Sequence, residues 1–265
     1  MDVLSRNHVV LSGPADGPPM VFAHGFGCDQ GMWRHVAPEF EASHRVVLFD
    51  HVGSGGSDLS AYASRHDRLE GFAADVVEVL DALDLPPAVF VGHSVSSMIG
   101  LLAAAERPDL FDRLVLVCPS PRYVDDEGYR GGFSREEIDE LLSTMEGNYL
   151  GWSAAVAPVI MGAPDRPELG EELTGSFCST DPELARRFAR TTFLSDNRDD
   201  LARVRTPSLV VQSRVDSIAP PEVGRYVHAH LADSELVVLD ATGHCPNLSA
   251  PDQLVATVRA YLGAP

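Results

Sequence analysis

Short, almost unbroken apolar runs bounded by glycine or proline alternate along this chain with longer stretches whose apolar residues recur every three or four positions. Met20–Ala23, Arg45–Asp50, Ala88–Val91, Leu114–Val117, Ser208–Gln212 and Glu235–Leu239 read as strands, with a weaker first strand over Asn7–Leu11. Between them, Met32–Phe40 reads as a helix, and Leu69–Leu83 reads as another through Phe72, Val76, Val79, Leu80 and Leu83. Strands that are apolar throughout, rather than on alternate residues, are covered on both faces. The pattern therefore predicts an α/β fold with a mostly parallel sheet and helices on both sides.

From Pro121 to about Leu194 the alternation stops and the stretch reads as helices only. Ser134-Arg135-Glu136-Glu137 is a capping box, and Thr180-Asp181-Pro182-Glu183 opens another helix with proline in its first turn. Gly147, Gly151 and the Pro164–Pro167 turn divide the stretch into four helices. Its large apolar residues, Tyr123, Phe133, Tyr149, Trp152, Ile160, Phe177 and Phe193, argue against a solvated excursion. The expected organisation is a core of residues 1–120 and 196–265, with a helical cap, 121–195, lying over the strand ends as a lid.

The chemistry-bearing stretch is Ala88-Val89-Phe90-Val91-Gly92-His93-Ser94-Val95-Ser96-Ser97-Met98-Ile99-Gly100, a strand, a tight turn and a helix. A serine at the apex of such a turn is held out from the sheet, with backbone N–H groups and the positive end of the helix dipole near whatever its oxygen attacks. Ser94 is the candidate nucleophile, although the second glycine of the G-x-S-x-G pattern is here Ser96. His24-Gly25-Phe26-Gly27 follows a strand, and acyl transfer needs two N–H donors at the developing oxyanion; Phe26 and Val95 are the candidates. A serine needs a base, and that imidazole needs a carboxylate. Asp216 and His244 each fall just beyond a strand end, in the order Ser, Asp, His. Asp240 also follows a strand but lies only four positions before His244, so Asp216 is preferred. His93 is read as packing or hydrogen-bonding beneath the elbow rather than acting as a base, and Cys245 as a small lining residue. The glycine-rich His51–Ser57 loop lacks the lysine and the spacing of a phosphate-binding loop.

Composition narrows the partners. Against 39 acidic residues stand 20 basic ones, all arginine, giving a net charge of −19 that repels nucleic acid and anionic membranes. The four cysteines, Cys28, Cys118, Cys178 and Cys245, show no disulfide or zinc spacing, and nothing calls for a metal or a cofactor. The start of the chain carries no charged segment followed by an apolar run, and no apolar stretch is long enough to span a membrane, so a cytoplasmic location is expected.

Taken together, His24-Gly25-Phe26-Gly27, Gly92-His93-Ser94-Val95-Ser96, Pro119-Ser120-Pro121-Arg122-Tyr123, Gly131-Gly132-Phe133, Asn148-Tyr149, Gln212-Ser213 with Asp216, and Gly243-His244 resemble the RsbQ-like α/β-hydrolases. That group includes a bacterial stress regulator and the plant karrikin and strigolactone receptors, and serine after Val95 is usual in it. The resemblance implies a Ser94-Asp216-His244 triad, an oxyanion hole from Phe26 and Val95, and a four-helix lid. It also implies an apolar pocket lined by Phe26, Tyr123, Phe133, Trp152 and Phe193, to which Ile218 is added. Val156 stands where relatives commonly carry an aromatic, which implies an enlarged pocket. The expected activity is hydrolysis of a small apolar ester or lactone. The alternative is a slow-turnover signalling hydrolase whose cap contacts a protein such as a phosphatase.

Overall fold

The computed structural model describes residues 2–263. In chain order the elements are α1 (Val3–Arg6), β1 (Val10–Ser12), β2 (Pro19–Ala23), β3 (Arg45–Phe49), α2 (Leu69–Leu83), β4 (Ala88–His93), α3 (Val95–Glu106) and β5 (Phe111–Val117). Four helices follow, α4 (Arg135–Gly147), α5 (Tyr149–Met161), α6 (Pro167–Ser179) and α7 (Pro182–Phe193). The chain then closes with β6 (Ser208–Val215), α8 (Pro221–His230), β7 (Ser234–Thr242), α9 (Pro246–Ser249) and α10 (Pro251–Leu262).

The strands form one sheet in the order β1-β3-β2-β4-β5-β6-β7. Among the described strands only β1 runs antiparallel, with Val10 opposite Leu48. Side chains alternate between the two faces, so each strand feeds two cores. Val21, Phe49, Phe90, Leu116 and Val210 pack with α2 and α3, whereas Phe22, Val46, Val91, Val117 and Val211 pack with Trp33, Phe40, α10 and residues of the four-helix stretch. Connection direction reverses at β2, between β3 and β4. The loops leaving β2, β4, β5, β6 and β7 therefore gather at one sheet edge, where α/β sheets bind ligands.

Several expectations need correction. Met32–Phe40 is two 3₁₀ turns, Gln30–Trp33 and Ala37–Phe40, rather than one helix. Pro38 lacks an N–H and disfavours α conformation at Ala37, which splits the segment, while Trp33, Val36 and Phe40 remain buried. The first strand starts at Val10, not Asn7. Residues 121–133 are not helical: Val124 bridges Phe133 and Asp126 bridges Tyr129. There Gly128 and Gly132 take positive φ, and the Asp125 carboxylate accepts the Gly131 and Gly132 N–H groups. Gly151 lies inside the first turn of α5; the break after Gly147 is Asn148, whose side chain caps the Gly151 N–H at 3.0 Å. β7 runs on through Asp240 to Thr242. The glycine-rich loop after β3 is occupied by the chain itself, because the Asp50 carboxylate accepts the Gly56 N–H at 2.9 Å.

Candidate active site

Ser94 sits between β4 and α3 at φ 56° and ψ −121°, a strained conformation for a residue with a Cβ. The turn is tight enough that a Cβ on Gly92 would fall 2.5 Å from the Ser96 carbonyl oxygen. The Ser94 N–H donates to the Val117 carbonyl at 2.8 Å, which ties the elbow to the neighbouring strand.

The loops from β6 and β7 bring Asp216 and His244 to this serine. Ser94 Oγ lies 2.7 Å from His244 Nε2, and His244 Nδ1 lies 2.8 Å from Asp216 Oδ2. All three residues are buried. The other Asp216 oxygen accepts the Ile218 N–H at 2.8 Å and the Ala219 N–H at 3.0 Å. Burial opposes ionisation of Asp216, but the charge interaction and hydrogen bond with His244 and these two N–H groups outweigh it, holding the carboxyl below its usual range. Asp240 is exposed on β7 and pairs with Arg214 at 2.9 Å, so it does not take part. An imidazole held this way, with Nδ1–H directed at a carboxylate, presents a bare Nε2 to the serine and can take its proton.

His93 hydrogen-bonds beneath the elbow, donating from Nε2 to the His244 carbonyl at 2.8 Å. Burial, then the neighbouring His244, push its imidazole down to about 3, so it stays neutral as a structural donor. The N–H groups of Phe26 and Val95 have no partner within the protein among the described residues. The Ser94 carbonyl accepts the Ser97 N–H at 2.9 Å, which turns the Val95 N–H the opposite way, toward the serine side of the turn.

The array opens into a cavity of about 30 Å³ lined by Phe26, Tyr123, Ile160, Phe177, Phe193 and Ile218, with Cys28, Leu173, Thr192 and Cys245 completing the wall. That holds a water or two. A wider groove of about 490 Å³ lies elsewhere, between Asp67–Glu70 and α7. Its Arg187 pairs with Asp67 and its Arg68 with Glu70, and it contains no nucleophile–base pair.

Of the residues expected at the pocket, Phe26, Tyr123, Phe193 and Ile218 line this cavity, whereas Phe133, Trp152 and Val156 are off its wall. Trp152 lies one layer behind, stacked on Phe177 at 5.6 Å and edge-on to Phe26 at 6.3 Å. Val156 is half-buried in the apolar core of the helical stretch. Sequence reasoning missed Phe177 and Leu173 as wall residues. Their four-residue separation on α6 was the available signal, since it puts both on one helix face. We expect Phe177→Leu to extend the range of acyl lengths accepted, at about 1–3 kcal/mol per methylene accommodated. Val156→Phe should leave the acyl-length profile unchanged. Rates across a series of p-nitrophenyl esters check both, and a narrowed profile for Val156→Phe would put that residue back on the wall.

Cys28 and Cys245 line the cavity without competing with the serine, because burial pushes the Cys28 thiol up to about 12 and the Cys245 thiol well above its ordinary value. Tyr123 Oη lies 3.5 Å from Ser94 Oγ, and burial raises its phenol to about 12.

Residues 20–257 match the alpha/beta hydrolase family. A probable esterase of Oryza sativa subsp. japonica is 40% identical over 245 residues, covering 92% of this chain and 90% of its own length. The strigolactone esterase D14 of Arabidopsis thaliana is 38% identical over 245 residues, covering 92% and 91%. Among solved structures, a hydrolase from Oleispira antarctica superposes with a TM-score of 0.96 at 42% identity, over 99% of this chain and 96% of that one.

Proposed function

The chain belongs to the alpha/beta hydrolase family, in the group of the strigolactone and karrikin receptors, and from that premise we propose that it cleaves a small apolar ester or lactone through an acyl-Ser94 intermediate. The observation that carries this reading is the continuous array from Ser94 Oγ through His244 to Asp216, opening into an apolar cavity. Ser94 Oγ attacks the carbonyl carbon as its proton passes to His244 Nε2, and the oxyanion is met by the N–H groups of Phe26 and Val95. His244 then returns the proton to the leaving oxygen. Water, deprotonated by the same imidazole, releases the acid. Residues 121–195, the four helices α4–α7 with the non-helical segment before them, form the cap over this site in this reading.

A second reading, slow turnover coupled to a protein partner, is favoured by how the cap meets the site. The His244 N–H donates to the Ile160 carbonyl near the end of α5 at 2.8 Å, and a Cβ on Gly243 would fall 1.9 Å from the Met161 carbonyl oxygen. A ligand also needs more than about 30 Å³, against the roughly 300–1,000 Å³ of ordinary ligand sites, so entry displaces Phe26, or Phe177 and Phe193 with the cap helices that carry them. Occupancy then changes the shape of the cap, whose outer surface presents the acidic α4 and exposed Leu150 and Val159. The partner of this reading is a signalling protein such as a phosphatase, bound in a ligand-dependent, salt-sensitive way.

Turnover of p-nitrophenyl acetate against that of a synthetic butenolide separates the two. Sustained turnover of both, with no protein retained by the immobilised chain from its native cell at low salt, leaves an esterase. A stoichiometric burst on the butenolide, with a protein retained only in its presence, supports signalling. No acyl product from either substrate overturns both readings.

A further inference from the structure

Ser96 lies outside the nucleophile–base array, yet it is fully buried and doubly hydrogen-bonded. Its hydroxyl donates to the His24 carbonyl oxygen, and His51 Nε2 lies 2.7 Å from the same hydroxyl oxygen. The roles are forced: a carbonyl only accepts, so the serine proton is spent on His24 and the imidazole must donate. Burial lowers the His51 pKa well below its ordinary value, so the ring is neutral with its proton on Nε2. Its bare Nδ1 is accordingly the atom left buried without a partner among the described residues.

The tautomer of His24 is fixed in the same manner. The His51 backbone N–H donates to His24 Nε2 at 3.0 Å, so Nδ1 carries the proton and donates it to the Gly25 carbonyl at 2.9 Å. The consecutive peptides His24–Gly25 and Gly25–Phe26 contain four polar atoms, of which three are held. The His24 oxygen is bound by Ser96, the Gly25 N–H faces Met32 Sδ at 3.4 Å, and the Gly25 oxygen accepts from His24 and from the Cys28 N–H at 3.3 Å. The fourth is the Phe26 N–H, without a partner among the described residues. In a planar trans peptide the N–H points opposite to the carbonyl, so holding the Gly25 oxygen aims the Phe26 N–H. Gly25 cannot be stiffened by a side chain, because a Cβ there would fall 2.5 Å from His93 Nδ1.

We propose that Ser96 is a positioning residue which, through His24 and with His51, presets the Phe26 N–H for the oxyanion formed on Ser94. The inference rests on the serine-hydrolase reading above and gives a reason for serine at this elbow position: glycine would leave the His24 carbonyl without its donor. The device is preorganisation of a donor dipole before charge develops.

The test compares Ser96→Ala with Ser96→Thr in p-nitrophenyl acetate kinetics and in affinity for phenylboronic acid, which forms a tetrahedral anionic adduct on a reactive serine. Ser96→Ala should lower kcat by about tenfold to a hundredfold, less than the roughly 10²–10³ lost when an oxyanion donor is removed outright. KM should be unchanged, boronate affinity should fall by a similar factor, and Ser96→Thr should recover most of both. Should Ser96→Ala not fold, His24→Asn and His24→Gln carry the test. An asparagine amide nitrogen reaches the position of Nδ1 and keeps the bond to Gly25, so Asn should outperform Gln at least tenfold. A folded Ser96→Ala with wild-type kcat and boronate affinity, or equal losses in the Asn and Gln variants, overturns the proposal. If the wild type neither hydrolyses the ester nor binds the boronate, the serine-hydrolase reading itself fails, and this inference falls with it.

Discussion

Ser94→Ala should slow the hydrolysis of p-nitrophenyl acetate by about 10⁶ in kcat, the scale on which such nucleophiles are lost from serine hydrolases. No neighbouring group can replace it. The Cys28 and Cys245 thiols at the cavity wall are held protonated by burial, and the Tyr123 phenol, pushed up to about 12, is neutral at physiological pH. The residual rate, about 10³–10⁴ over water, comes from substrate binding and the oxyanion donors, which the substitution leaves in place. The loss is not one of folding: alanine keeps the Cβ that Ser94 already carries at φ 56°, and the backbone bond to Val117 is untouched. A fluorophosphonate probe should label the wild type at Ser94 and leave the variant unlabelled, with the two thermal melts alike. Full activity in the alanine variant, with no label on Ser94 in the wild type, would end the acyl-serine mechanism.

That Ser94, Asp216 and His244 were readable from sequence follows from where they lie. Each stands directly beyond an apolar strand, and a parallel sheet puts all such positions at one edge. α2 was legible end to end because its apolar stripe is uninterrupted and packs on the sheet. Met32–Phe40 reads as a helix, but its conformation is decided locally by Pro38. The resemblance implies a pocket wall without fixing the depth of each side chain. Trp152 is expected on that wall, but the rings of Phe26 and Phe177 pack against it, so it stands behind the wall instead of forming it. The link from Ser96 to His24 spans 72 positions and that from His51 to His24 spans 27; no spacing rule reaches either, and the second also depends on the tautomer of the His24 ring.

Asp216→Asn should lower kcat by about 10⁴ while preserving the fold, and the hydrogen bonds around the carboxylate say why. One oxygen is committed to the N–H groups of Ile218 and Ala219, at 2.8 and 3.0 Å, and the other to His244 Nδ1 at 2.8 Å. An asparagine must give its oxygen to the two N–H donors, which leaves its amide N–H₂ facing His244. The imidazole then meets a donor at Nδ1, moves its proton to Nε2, and points it at Ser94 Oγ, where it can no longer accept one. The sign with pH follows from the same contacts. Because the Asp216 pKa is lowered, the carboxylate is ionised at and above the ordinary Asp range near 3.9, and its stabilising bonds are lost only as pH falls below that range. The acid limb of the wild-type kcat/KM profile above about pH 4 should therefore carry no contribution from Asp216, which stays ionised there. Asp240→Asn is the control, since the exposed Asp240 carboxylate pairs with Arg214 and its backbone with Gln253, away from the array. Loss of activity in Asp240→Asn with full activity in Asp216→Asn would transfer the carboxylate role to β7. The expected reverse leaves Asp216 as the group that fixes which nitrogen of His244 faces the serine.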